Sequence, residues 1–192
     1  MKNYFIIHGS FGDSKEHYLP WLKSELEKLG GVVCVDFPIG VGVQTFESWS
    51  KVLDQYKDKI TKDTIFIGRS IGPIFAIKYL MNNNLHIDKL FSISGFNNVI
   101  VDGGDYDIVN STMFVDNLKD FKKYCNHITC IISENDPYVK LKDLENFANT
   151  IADKTINIKD GGHFNADSGY GEKFEKLLKE IEISEIVINR QK

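Results

Sequence analysis

Ser70 stands at the centre of Gly68-Arg69-Ser70-Ile71-Gly72, between the apolar run Thr64-Ile65-Phe66-Ile67 and the helix-like run Ile71-Gly72-Pro73-Ile74-Phe75-Ala76-Ile77. Gly-x-Ser-x-Gly between a strand and a helix is the pattern of a nucleophile elbow, a sharp turn that lifts the serine hydroxyl clear of the sheet. Glycine is needed on both sides because strand and helix approach too closely there for a Cβ. The N–H of Ile71 opens the helix, so it faces a developing oxyanion with the helix dipole behind it. A serine hydroxyl is a weak nucleophile at neutral pH. It needs a base within hydrogen-bond reach, and the base needs a group that fixes its tautomer. Asp136, in Asn135-Asp136-Pro137-Tyr138, and His163, in Gly161-Gly162-His163-Phe164, each follow an apolar run and supply those two types. Taken singly, an aspartate before proline marks a turn, and a glycine-flanked histidine marks a loop. The order Ser70, Asp136, His163 is that of a serine catalytic triad, with Ser70 as nucleophile, His163 as base and Asp136 as acid. Asp160 is closer to His163 but shares its glycine loop and would restrain it poorly. The loop His8-Gly9-Ser10-Phe11-Gly12 is placed to give a second oxyanion donor beside Ile71, from Ser10 or, alternatively, Phe11.

The elements between these residues must bring them together. Tyr4–His8, Val32–Asp36, Thr64–Ile67, Leu90–Ser94, Ile128–Ser133 and Thr155–Ile158 read as strands, and the continuous apolar run of the first marks a strand covered on both faces. Helical stripes lie between them. Asp13 and Glu16 have the spacing of a capping box ahead of Tyr18, Leu22, Leu26 and Leu29, a stripe stopped by Gly30-Gly31. Thr45 can cap a helix carrying Phe46, Trp49, Leu53, Tyr56 and Ile60. The helix after the elbow is apolar nearly all round and ends near Asn82-Asn83-Asn84. Two more carry Leu141, Leu144, Phe147, Ala148 and Ile151, and Phe174, Leu177, Leu178 and Ile181. Ile186-Val187-Ile188 either continues the last helix or packs as a short extension. The stretch Gly95–His127 is the least regular. It holds the acidic Asp102, Asp105 and Asp107, which weigh against anionic substrates, and a weak stripe of Phe114, Leu118 and Phe121. This stretch is short for a lid, which predicts an open, shallow site. Trp21 and Trp49 read as packing residues, His17 as a helix-face residue, and His86 and His127 as parts of connections.

Strands alternating with helices predict an α/β fold: a three-layer, doubly wound, mostly parallel sheet of about six strands. One domain spanning residues 1–192 suits the length. In such a sheet functional residues gather at the carboxyl ends of strands. His8-Gly9-Ser10, Asp36, Ser70, Asp136 and His163 all fall there.

Composition narrows the rest. With 23 basic and 27 acidic residues the net charge is −4, which gives no electrostatic footprint for nucleic acid or anionic lipid. No apolar run approaches membrane-spanning length, and the N-terminus lacks a signal-peptide core. Three cysteines, an odd number without metal-ligand spacing, point to reduced thiols and a cytoplasmic location. No histidine pair has ligand spacing with a carboxylate, so no metal is expected, and hydrolysis by a serine triad needs no cofactor.

The chain resembles the small α/β-hydrolase family that contains retinoblastoma-binding protein 9 and its bacterial relatives. The likeness runs over nearly the whole chain. It rests on His8-Gly9, Pro20-Trp21-Leu22, Trp49, the elbow, Ser94-Gly95-Phe96, Asp136-Pro137-Tyr138-Val139 and Gly161-Gly162-His163-Phe164. The resemblance implies a compact serine hydrolase without a large cap domain, with Ser70, Asp136 and His163 as its triad. Arg69 departs from the histidine usual in related elbows and changes the charge beside the nucleophile. The Leu-x-Cys-x-Glu signature for the retinoblastoma protein is absent, so that partner is not implied. The expected activity is that of a carboxylesterase on small acyl substrates. Two other readings remain. Gly9-x-x-Gly12 with Asp36 mimics a nucleotide site, though Gly-x-Gly-x-x-Gly is missing. An interaction protein with a residual triad is the other.

Overall fold

The computed structural model describes residues 2–99 and 104–189. Six strands form one sheet: β1 (Asn3–Ile7), β2 (Gly31–Cys34), β3 (Ile65–Arg69), β4 (Ile87–Ile93), β5 (Cys125–Ser133) and β6 (Lys154–Ile158). Their order is β2-β1-β3-β4-β5-β6, and every neighbouring pair is parallel. The helices are α1 (Leu19–Leu26), α2 (Phe46–Leu53), α3 (Gly72–Asn82), the short α4 (Asp105–Asn110), α5 (Leu141–Ile151) and α6 (Glu175–Asn189). The winding starts at β1, goes one way to β2, and returns past β1 to β3. The crevice between the carboxyl ends of β1 and β3 is therefore a topological switch point, the place where open α/β sheets bind ligands.

Alternate residues of each strand feed two cores, which is why both faces of the strands are apolar. Phe5 and Ile7 of β1 pack with Phe66, Leu90 and Ile128 against Trp49, Phe75, Leu144 and Phe147, from α2, α3 and α5. Tyr4 and Ile6 pack with Ile65, Ile67 and Ile131 against Leu19, Leu22, Leu177 and Ile181, from α1 and α6. The sheet is covered on both sides, as the alternating pattern predicts. α3 fills the centre of its layer, with every residue from Gly72 to Ile77 buried. The free thiols of Cys125 and Cys130 are buried, and burial pushes both up to about 12, so they pack as small apolar groups. The Trp49 ring is buried, and its Nε1–H donates to Pro38 O at 2.8 Å.

Two local expectations change, and one open alternative is decided. The first helix does not begin at a capping box on Asp13. Asp13 Oδ1 accepts from Lys15 N–H at 2.7 Å, and His17 has φ +51°, so the chain runs through turns until Leu19, where Pro20 suits a helix start. Thr45 does cap α2, in a reciprocal box with Ser48, but regular helix stops at Leu53 and Asp54–Lys59 is 3₁₀. Residues 186–188 continue α6. In the irregular stretch, Asp105 and Asp107 lie in the first turn of α4, and Asp102 lies outside the described residues. Among the described residues, no helix is long and apolar enough to cross a membrane.

Candidate active site

The elbow is built as its glycines require. Ser70 has φ +58°, a left-handed conformation that an L-residue adopts only when its surroundings impose it. A Cβ on Gly68 would stand 2.6 Å from Pro73 N, and one on Gly72 would stand 2.7 Å from Ile7 O. Neither position has room for a side chain. Ser70 N–H is tied to Ile93 O at 2.8 Å, which anchors the turn to β4.

Asp136 and His163 come together from neighbouring strand ends. Ser133 pairs with Ile158 across β5 and β6, and Glu134 N–H donates to Ile158 O at 3.1 Å. Asn135 Oδ1 accepts from Gly162 N–H at 2.7 Å and so joins the two loops beyond the sheet. Asp136 Oδ2 then lies 2.8 Å from His163 Nδ1. The same oxygen accepts from Ser94 Oγ at 2.8 Å, and Oδ1 accepts from Tyr138 N–H and Val139 N–H at 2.9 and 3.0 Å. Burial pushes this carboxyl up, but the His163 bond and charge, with those two backbone donors, outweigh it and hold it below the ordinary range. Asp136 is thus a buried carboxylate with partners on both oxygens. Asp160 is exposed.

Ser70 and His163 open onto one cavity of about 240 Å³, lined also by Gly9, Ser10, Phe11, Glu16, His17, Arg69, Tyr106, Tyr138 and Asn165. The β1 loop is held in place by residues distant in sequence. Phe11 N–H donates to Gln44 Oε1 at 3.1 Å. Ser10 Oγ donates to Asn110 Oδ1 at 2.6 Å, and Gln44 Nε2 reaches the same oxygen at 3.3 Å. The Phe11 N–H is therefore committed to Gln44. Among the described residues, no acceptor takes the N–H of Ser10 or Ile71. A Cβ on Gly9 would come within 3.1 Å of Ser70 Cβ, so the loop passes directly over Ser70.

His8 serves the loop as a fixed, neutral ring. Phe37 N–H donates to its Nε2 at 2.9 Å, so the proton resides on Nδ1, which donates to Gly9 O at 2.8 Å. Phe37 and Trp49 enclose it at ring separations of 5.3 and 5.2 Å. Burial pushes its pKa below that of an ordinary histidine. The unfolded chain therefore takes up this proton more readily than the folded one. His8 costs no stability above about pH 6.5 and removes stability as pH falls below it. The thermal midpoint should drop between about pH 7 and pH 5, and His8→Gln should flatten that drop. Equal slopes in both proteins would contradict a neutral buried His8.

Sequence reasoning missed Ser94, Asn110, Gln44, Asn135 and the cavity positions of Glu16 and His17. His17 precedes α1 rather than lying on a helix face, and its Nδ1 accepts from Ala166 N–H at 3.2 Å. Of the strand-end features, Asp36 stands apart from Ser70, Asp136 and His163. Its Oδ1 accepts from Ser14 N–H at 2.7 Å, and that bond holds its pKa low. Among the described residues, no group of three or more His, Cys, Asp or Glu side chains could hold a metal ion.

A family model described as serine hydrolase matches residues 4–180. In sequence the chain is 25% identical over 174 residues to YdeN of Bacillus subtilis (strain 168), across 88% of this chain and 89% of that one. The crystal structure of the ydeN gene product from B. subtilis superposes with a TM-score of 0.82 at 22% identity, covering 96% of this chain and 98% of that one. Est1E from Butyrivibrio proteoclasticus, solved with ferulic acid bound, gives a TM-score of 0.70 at 17% identity over 97% and 90% of the two chains. The meta-cleavage product hydrolase from Pseudomonas fluorescens gives 0.69 at 13% over 100% and 92%. The fold is that of the α/β-hydrolases.

Proposed function

The chain belongs to the serine hydrolase family, and we propose that it acts there as a carboxylesterase on short acyl esters, with Ser70, His163 and Asp136 as its triad. The observation that carries this reading is the Asp136–His163 pair, 2.8 Å apart, on the cavity into which the strained Ser70 opens. Ser70 Oγ attacks the ester carbonyl carbon while His163 Nε2 takes the hydroxyl proton. Asp136 keeps the other ring proton on Nδ1 and stabilises the imidazolium. The carbonyl oxygen becomes an oxyanion, received by the N–H groups of Ile71 and Ser10. Commitment of the Phe11 N–H to Gln44 favours Ser10 over Phe11 as the second donor. Collapse breaks the carbon–oxygen bond, and His163 returns its proton to the departing alcohol. Water then attacks the acyl-enzyme by the reverse sequence and releases the acid and Ser70.

The cavity volume, about 240 Å³, lies below the usual range for sites that enclose drug-sized ligands, and Tyr106 and Tyr138 stand on its rim. Short acyl chains fit, and long ones must lie outside. On a panel of matched esters, kcat/KM should fall by about tenfold or more between butyryl and longer chains such as decanoyl. Faster hydrolysis of the long chains would contradict the reading.

A further inference from the structure

Arg69 is the one feature of the elbow that the triad does not use. Its side chain is only 7% exposed, yet it lines the cavity beside Ser70. Its Nε is buried without an acceptor. The carboxylate paired with it, Glu16 Oε2, lies 3.6 Å from Nη2, beyond hydrogen-bond length, on a side chain 35% exposed. Burial raises the Glu16 pKa, and Arg69 pulls it back only in part. A guanidinium whose Nε is shut away from water without an acceptor is costly, and such groups are normally paired. The position is specific as well. The point where a Gly9 Cβ would stand is 3.1 Å from Ser70 Cβ and 3.5 Å from Arg69 Nη2. Guanidinium and nucleophile thus flank the same point of the loop assigned above to the oxyanion.

We propose that Arg69 binds a carboxylate carried by the ester itself, a few bonds from the scissile carbonyl. This rests on the esterase reading and narrows its substrate class to anionic short-chain esters. The planar fork of arginine matches a carboxylate with two parallel N–H···O bonds, and lysine cannot copy that geometry. The acidic loop does not oppose it at close range: of its described residues, only Tyr106 lines the cavity. Glu16 competes for the guanidinium until the substrate arrives.

The test compares anionic esters with uncharged partners of equal length, at low salt. Mono-para-nitrophenyl glutarate against para-nitrophenyl pentanoate puts the charge on the acyl side. Carboxymethyl butyrate against propyl butyrate puts it on the alcohol side. One of these pairs should show a preference of about tenfold to a hundredfold for the anion, and the pair that does so identifies the side. Arg69→Gln should erase the preference and Arg69→Lys should keep part of it. Glu16→Gln, at a part-exposed position, should increase it. No preference in the parent protein, a preference that survives Arg69→Gln, or one that Glu16→Gln leaves unchanged overturns the proposal. The parent and Glu16→Gln decide even where an Arg69 variant does not fold. Hydrolysis of uncharged esters without anion preference overturns this proposal and leaves the esterase reading standing. If no ester is hydrolysed, calorimetric titration of Ser70→Ala protein with monomethyl glutarate decides. Binding that disappears when Arg69→Gln is added supports the anion site, and no binding overturns it.

Discussion

Asp136→Asn is expected to leave the protein folded and to lower turnover by about 10⁴, while Asp160→Asn stays within a fewfold of the parent. The direction follows from which oxygen does what. Oδ1 of Asp136 accepts two backbone N–H groups, from Tyr138 and Val139, so an amide must keep its oxygen there. Its NH₂ is then forced to the Oδ2 position, facing His163 Nδ1 and Ser94 Oγ. An N–H directed at Nδ1 makes that nitrogen an acceptor and moves the ring proton to Nε2, the nitrogen that must receive the Ser70 proton. The histidine stays in place in the wrong tautomer. Ser94 can reverse its hydroxyl and accept, so the substitution is well tolerated structurally. Asp160 is exposed, and its substitution disturbs no such bond. Turnover of one activated ester by both variants, with circular dichroism to confirm folding, checks this. A crippled Asp160→Asn beside a near-normal Asp136→Asn would show that the acid is misassigned.

Much of this arrangement is legible in the sequence. The apolar runs of Tyr4–Ile7 and Ile65–Ile67 and the helical stripes between strands predict a parallel sheet covered on both faces, which is the sheet observed. Once the sheet is parallel, residues that follow strands share one edge. That places Ser10, Ser70, Asp136 and His163 near one another without further information. The supports were not legible because they act across long sequence separations and carry no local pattern. Asn110 meets Ser10 across 100 positions and Gln44 across 66. Nothing near either residue signals a partner. Ser94 is similar: its hydroxyl reaches Asp136 across 42 positions, and its φ of +47° leaves no mark in a strand that reads as ordinary. The start of α1 failed for the opposite reason. A local pattern, Asp13 with Glu16, was present, but Phe11 and His17 at positive φ fold the segment into turns that wrap the cavity. Tertiary placement of that loop overrode its capping signal. Arg69 was visible as a departure, but its burial and missing acceptor emerge only from the packing around it.

Covalent chemistry at Ser70 is the central claim, and one measurement reaches it directly. The native protein is incubated with a fluorophosphonate probe, and the adduct is located by peptide mapping, with Ser70→Ala in parallel. Phosphonylation needs the activated hydroxyl and an oxyanion site, but no particular substrate, so it tests the elbow and the triad together. Removing the nucleophile should leave ester turnover lower by about 10⁶. The account predicts one adduct, on the peptide containing Ser70, and none in the variant. Undiminished labelling of Ser70→Ala, or an adduct on another residue of the parent, would contradict it.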